Sequence, residues 1–254
     1  MVKKRRGIQS AETGVRLLEA LERANGPLAL KDLSARADLD PSSAHRYLAS
    51  FVRCGLVRQD PDARYDFGPL AMRIGLAAMQ RLDPIQLTER AMPDLVAQTG
   101  YTALLSVWSN RGPTVVHWQR SKNPFTTNLA LGSVLPIFRS ATGAVMVAFL
   151  PSTVTAEALA AEGRRENVDR EAFTRAVERA KRTRLAYVDS SVIPGLSAIS
   201  SPVLDWNGEA LAAVTLIGTD PELAKPNHPA APVLRNLCDR LSRDFGAPEL
   251  RPAA

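Results

Sequence analysis

The sequence is poor in the patterns that most often announce a chemistry. It has two cysteines, Cys54 and Cys238, far apart along the chain, so a disulfide framework or a zinc finger is excluded on count alone. Its three histidines, His45, His117 and His228, are equally dispersed and show no metal-ligand spacing. There is no Gly-x-Ser-x-Gly elbow and no phosphate loop, which argues against an enzyme, and with no cofactor motif no cofactor is expected. No apolar run approaches the roughly 18 to 20 residues that span a bilayer. The segment Met1-Val2-Lys3-Lys4-Arg5-Arg6 lacks the apolar stretch of a signal peptide. The expected location is the cytoplasm, with no membrane partner.

What remains is an ordinary globular composition, 45% hydrophobic and 23% charged, in a chain of 254 residues that makes one large or two modest domains. The charge is unevenly placed. Residues 1–82 hold 14 Lys/Arg and 9 Asp/Glu, an excess of +5, whereas residues 83–254 hold 18 and 17, an excess of +1. A basic excess confined to one end, with a pI near 9.7, suits a part that neutralises phosphates.

The stretch Asp40 to Gly55, DPSSAHRYLASFVRCG, sits within that end. Asp40 is a good helix N-cap, Pro41 fits the first helical position, and Cys54-Gly55 marks the stop. Ala44, Tyr47, Leu48, Phe51 and Val52 recur at helical spacing and form an apolar face. The opposite face carries Ser42, Ser43, His45, Arg46, Ser50 and Arg53, and no acid follows the cap, so it suits a polyanion. Upstream, residues 27–37 read as a short helix with Leu30, Leu33 and Ala37 inward, followed by a turn at Asp38 to Asp40. Two short helices joined in this way form a helix-turn-helix, whose second helix enters the major groove. Downstream, residues 56–59 and 64–67 read as two short strands around Asp60-Pro61-Asp62-Ala63. A hairpin there makes a wing, with Arg64 and Tyr65 as further candidate DNA contacts.

These residues resemble the IclR (isocitrate lyase regulator) family of bacterial transcription factors. The family's Ser-Thr-x-His-Arg pattern appears as Ser42-Ser43-Ala44-His45-Arg46, and its Tyr-x-x-Gly at the wing as Tyr65-Asp66-Phe67-Gly68. The resemblance implies a winged helix-turn-helix DNA-binding domain over residues 1–68, a linker and dimerisation helix over 69–83, and a GAF-like small-molecule effector domain over 84–254. The partners it implies are a double-stranded DNA operator, a small-molecule effector, and further copies of the chain in a homodimer or a dimer of dimers.

Along the chain, Lys3 to Arg6 reads as a solvated tail or a phosphate or minor-groove contact. Gln9-Ser10 reads as the cap of a helix whose stripe is Ala11, Val15, Leu18 and Leu21, with Leu17 beside it. Pro69 to Leu82 is so apolar that it must pack on its own domain or pair with another chain. Residues 85–98 are helical, with Pro93 expected to kink or divide them. From Tyr101 the period changes to two. Strands are expected at 101–108, 114–120, 126–130, 134–138, 187–188, 196–204 and 210–217, the last pair joined through Asp205-Trp206-Asn207-Gly208. Helices are expected at 140–150, 155–162, 169–182 and 228–245. This order predicts an α+β domain, an antiparallel sheet with flanking helices.

In the resembled family the ligand lies between the sheet and the helix that follows Pro136. Carried over by position, the candidate effector residues are Arg139, Ser140, Ala141 and Thr142, with Asp189 and Leu196, Ser197 and Ala198, and with Leu129 and Leu135 as apolar wall. The chain departs from the family pattern at Asp189-Ser190-Ser191 and at Ser197-Ala198, so its effector need not be that of a familiar member. Unpaired N–H groups at the Ser140 to Thr142 helix start favour an anion, which points to a small carboxylic acid, aliphatic or aromatic. Trp108, Trp118, Phe125 and Phe138 neighbour this region in sequence and read either as core or as ligand platform. The reading is a ligand-responsive transcription factor. Its alternatives are a sensor-fold enzyme or hydrolase with a basic N-terminal domain, and a winged-helix module used for protein contact.

Overall fold

A computed structural model describes residues 7–122, 125, 127–165 and 168–248. The tail Lys3 to Arg6 and the first residue of the strand expected at 126–130 lie outside them. Two compact units emerge, one ending at Leu82 and the other beginning at Asp83.

In the first unit α1 (Gln9–Glu22), α2 (Leu30–Arg36) and α3 (Pro41–Arg53) bury Leu17, Leu21, Leu33, Ala44 and Leu48 against Val57 and Tyr65. The α1 stripe is rotated from the expected one, since Ala11 and Val15 are exposed and Gly14 and Leu17 are buried. A β-carbon on Gly14 would press on the Phe51 ring of α3, so this close approach turns the glycine face inward. The cap differs as well. Ile8 holds the N-cap position and no side chain there accepts a hydrogen bond. The segment before α2 is a two-residue strand, β1 (Leu28–Ala29), which pairs antiparallel with β3 (Arg64–Phe67); β2 (Val57–Gln59) pairs on the other side of β3. Helix α4 (Pro69–Arg81) buries no residue in the described chain and leaves Met72, Ile74, Leu76 and Met79 exposed.

The second unit is built on a five-stranded antiparallel sheet in the order β5-β4-β8-β7-β6. Its strands are β4 (Thr102–Ser109), β5 (Gly112–Gln119), β6 (Ala186–Asp189), β7 (Ser197–Leu204) and β8 (Ala210–Gly218). Helix α5 (Pro84–Thr99) runs unbroken through Pro93, so the expected division into two helices does not occur. It packs with α9 (Ala230–Asp244) and against β4, while α9 covers β7. On the other face, α6 (Ala141–Phe149) lies across β7 and β8, backed by α8 (Arg170–Thr183), while α7 (Ser152–Arg165) reaches β5 and adds Ala158 to the same core. Helix α6 is apolar nearly throughout, which fits its burial on more than one side.

Residues 127–130 and 134–138 are not strands. A single bridge joins Thr114 to Val134, while the Val115 N–H donates to Ser133 and the Leu135 N–H to Pro113. Pro136 has no N–H with which to extend that edge. Near the end of the sheet, the Tyr101 hydroxyl donates to Asp220 at 2.8 Å and lies 3.2 Å from Nε2 of His228. The Ala230 N–H donates to Nδ1 of His228, so neutral His228 carries its hydrogen on Nε2 and donates it to the tyrosine oxygen.

Candidate DNA-reading face and effector cleft

The carboxylate of Asp40 accepts the Ser43 N–H at 2.8 Å and the Ser42 hydroxyl at 2.7 Å. These bonds, the Ser43 N–H foremost, hold the Asp40 carboxyl well below the usual carboxylate range. With Pro41 at the first helical position, α3 starts where the sequence places it. Ala44 and Leu48 are fully buried and Tyr47 and Phe51 half-buried, whereas Val52, expected on that face, is 39% exposed. On the outer face Ser42, His45, Arg46, Ser50 and Arg53 are exposed, and Ser43 is half-buried. Arg46 donates to the Ser43 hydroxyl at 3.2 Å, and the Ser50 hydroxyl is turned to the Arg46 carbonyl.

The wing presents Arg64 to solvent but not Tyr65. At 4% exposure Tyr65 belongs to the core, where β1 and β2 flank it at Leu28 and Gln59. It anchors the wing from inside and is withdrawn as a DNA contact.

In the second unit a cleft with about 440 Å³ of atom-free space, counting its open mouth, lies between the α6 start and the sheet. Its lining brings together eight of the expected residues: Leu129, Leu135, Ser140, Ala141, Thr142, Leu196, Ser197 and Ala198. Two expected residues stand outside the lining. Arg139 is exposed beside the helix start. Asp189 is exposed at the end of β6 and accepts the Ser197 hydroxyl at 2.8 Å; strand alternation sets it on the face away from Val188, which does line the cleft.

The sequence reading missed Leu104, Val188, Val192, Ile193, Thr215 and Ile217. Thr215 had a signal of its own, as the one hydroxyl residue in the apolar strand from Ala210 to Ile217. None of the four aromatic candidates lines the cleft. Trp118 and Phe125 pack on Leu104, Val115, Leu135 and Ile217, behind its wall, and Trp108 and Phe138 pack on the core around α6 and α8.

The loop into α6 is held from two sides. One carboxylate oxygen of Glu162 accepts the Ile137 N–H at 2.8 Å and the other accepts the Phe138 N–H at 3.0 Å. Ser140 caps the helix by accepting the Gly143 N–H at 2.9 Å, and it donates its own hydrogen to the Pro136 carbonyl. Ala141 and Thr142 therefore carry the first-turn N–H groups that the cap leaves over. Deeper in, the Thr142 and Thr215 hydroxyls are 2.8 Å apart, and Ser200 lies 2.9 Å beyond Thr215. Among the described residues no group of three or more His, Cys, Asp or Glu side chains is placed to hold a metal ion, and no helix is long and apolar enough to cross a membrane.

Residues 10–61 match the IclR helix-turn-helix domain, and residues 76–243 match the bacterial transcriptional regulator IclR C-terminal domain. The chain belongs to the IclR family of transcriptional regulators. Among the IclR-like relatives, the glycerol operon regulatory protein of Streptomyces griseus is 28% identical, over 95% of this chain and 98% of its own. The transcriptional repressor IclR of Escherichia coli is 22% identical, over 97% and 88%. The crystal structure of Pseudomonas aeruginosa HmgR superposes with a TM-score of 0.81 at 31% identity, covering 96% of this chain and all of that one. An IclR homologue from Microbacterium hydrocarbonoxydans, crystallised with 4-hydroxybenzoate, shares the fold at a TM-score of 0.53 and 20% identity, over 93% of this chain and 98% of that one. As an IclR-family member, this protein is a DNA-binding transcriptional regulator with an N-terminal helix-turn-helix and a C-terminal ligand-binding domain.

Proposed function

We propose that the protein binds a near-palindromic operator as a homodimer or a dimer of dimers, and that a small carboxylic acid, aliphatic or aromatic, held at the α6 start changes that binding. The observation that carries the first part is the outer face of α3, with His45, Arg46 and Arg53 exposed and no acid beyond the cap. His45 and Arg46 reach base edges, while Ser42, Ser43, Ser50, Arg53 and Arg64 serve the phosphates. An oligomer is supported by α4, whose exposed Met72, Ile74, Leu76 and Met79 need cover in water. A two-fold pair then calls for half-sites about one helical turn apart. On this reading residues 1–68 bind DNA, 69–83 link and dimerise, and 84–254 sense the effector.

An acid is supported by the N–H groups at the α6 start and by a cleft lining that, among the described residues, carries no acidic side chain. The bound 4-hydroxybenzoate of the Microbacterium protein makes an aromatic acid a sensible first probe, although that likeness speaks of fold alone. We read the protein as a regulator without catalysis, acting on DNA in the cytoplasm. The relatives carry the names of regulators.

The test is a calorimetric titration with acetate, benzoate and 4-hydroxybenzoate, beside the matching amines, followed by titration of an operator selected from a random pool. At least one acid is expected to bind and to shift operator affinity about 5- to 150-fold, and Ala198→Phe, which fills the cleft, abolishes both effects. Preference for the amines, or undiminished acid binding by Ala198→Phe, rejects the proposal.

A further inference from the structure

Four residues of the cleft lining carry hydroxyls, Ser140, Thr142, Ser197 and Thr215, although Ser197 lies opposite Asp189 in the sheet and shares its outward face. Two of them are already committed. Ser140 donates to Pro136 and accepts from Gly143, and Ser197 has given its hydrogen to Asp189. Thr142 and Thr215, 1% and 2% exposed, remain.

These two are not independent. Thr142 and Thr215 share a hydrogen bond in which either oxygen can be the donor, and so do Thr215 and Ser200. Ser200 is also placed 3.4 Å from the Val214 carbonyl oxygen. Among the described residues the row therefore has three hydrogens and one further protein acceptor, which lies at the Ser200 end. Without an acceptor in the cleft, every hydrogen finds a partner when the row runs from Thr142 to Thr215 to Ser200 to Val214. An anion beside Thr142 favours the opposite sense, from Ser200 to Thr215 to Thr142 to the ligand. Reversal gives up only the Ser200 contact to Val214, whose 3.4 Å is longer than the usual 2.5 to 3.0 Å or so of an O–H···O bond.

We propose that Thr142, Thr215 and Ser200 act as one reversible hydroxyl chain, and that this chain selects the effector by demanding a single hydrogen-bond acceptor at Thr142. Each hydroxyl keeps its own hydrogen and only rotates. Thr142 touches the ligand, and Thr215 and Ser200 are positioning residues that act through it. The inference rests on the cleft being the effector site, and it narrows the ligand class. Among the described residues no charged side chain lines the cleft, and the body of a ligand meets Leu104, Leu129, Leu135, Ile193 and Ile217. A second carboxylate would be left there without a partner, so the fitting ligand is a monocarboxylate with an apolar body.

The experiment is a double-substitution cycle on the full chain, read by calorimetry with two probes of similar shape: benzoate, and toluene as a control without an acceptor. Thr142→Val is expected to weaken benzoate about 10-fold and Thr215→Val about 3-fold. In the Thr142→Val background, Thr215→Val has no further effect, because the chain no longer ends on the ligand. Toluene binding stays within about 2-fold throughout, and succinate binds at least about 10-fold more weakly than benzoate.

A Thr215→Val loss of the same size in both backgrounds overturns the chain and makes Thr215 a direct contact. Parallel losses for toluene overturn it in favour of packing. Full benzoate affinity in Thr142→Val also overturns it, while leaving the cleft-filling result of Ala198→Phe to stand or fall separately. If wild type binds no benzoate or other acid, the acid reading of the cleft fails and this inference fails with it.

Discussion

The carbonyl oxygen of Ile137 occupies the space that a β-carbon on Gly143 would take. The loop into α6 thus folds back onto the first turn of the helix, and Glu162 pins it there through the Ile137 and Phe138 N–H groups. In a free helix Gly→Ala gains about 1 kcal/mol. Here the overlap is with backbone that cannot give way, and overpacking of this kind costs about 1 to 3 kcal/mol. Gly143→Ala is expected to lower the melting temperature by about 2 to 12 °C and to weaken acid binding through the displaced Leu135 and Ser140. An unchanged or raised melting temperature by calorimetry shows that the loop moves without cost.

The Arg46 guanidinium rests on the Ser43 hydroxyl, within reach of a groove but not of a core. Arg46→Ala removes one base-reading side chain and is expected to cost about 1 to 3 kcal/mol of discrimination at one operator position. Arg53→Ala weakens all sequences alike and lowers the salt slope by about one. Competition anisotropy against single-base operator variants reads both. An unchanged base preference in Arg46→Ala means that a different face of α3 meets DNA.

Leu76 is 52% exposed on α4 and Ile74 is 55% exposed. If these residues are covered by a second copy, Leu76→Glu buries a charge at the contact and shifts the protein toward monomer in light scattering at micromolar concentration. Operator affinity falls with it, because a half-site alone is bound weakly. A wild type that is monomeric under the same conditions rules out this role for α4.

Tyr101 supplies a pH dependence whose sign can be worked out. Burial first, and then the hydrogen bond to Asp220, push its hydroxyl up to about 12 from an ordinary value near 10.0. A group whose folded-state pKa is raised adds stability that is fully present below about pH 10 and is lost as pH climbs toward about 12. The difference in urea-unfolding free energy between wild type and Tyr101→Phe should be constant up to about pH 10 and then shrink. The comparison is needed because the buried Cys238 thiol, also pushed up to about 12, titrates in the same window in both proteins. A difference that does not shrink in that window removes Tyr101 from the account.

The parts of the molecule that local rules decide were legible in advance. Asp40, Pro41 and the 3.6 spacing of Ala44 and Leu48 define α3 without help from elsewhere, and Asn207-Gly208 marks the hairpin between β7 and β8. Tyr65 was misplaced because a four-residue strand does not reveal which face turns inward. That depends on β1, a distant two-residue partner opposite it. Residues 134–138 have strand character but find only the irregular edge of β5, where proline ends the pairing. Most of the cleft came from family resemblance; Ile217 was missed because its role depends on how α6 crosses the sheet, which no window of sequence contains, and the lone hydroxyl of Thr215 in an apolar strand gains its meaning only from that crossing. Asp189 was assigned by position alone, and the pleat turns it away.

The order of the large sheet has a temporal consequence. Its central strand is β8, Ala210–Gly218, paired on one side with β4 and on the other with β7. Until residue 218 has been made, β4 and β5 form a hairpin with an open edge. The unit that ends at Leu82 is complete long before. At about 5 to 20 residues per second, the 136 residues from Leu82 to Gly218 take roughly 7 to 27 s to emerge. During each round of translation a finished DNA-binding unit therefore precedes its sensor, and it can meet DNA while no effector can yet be heard.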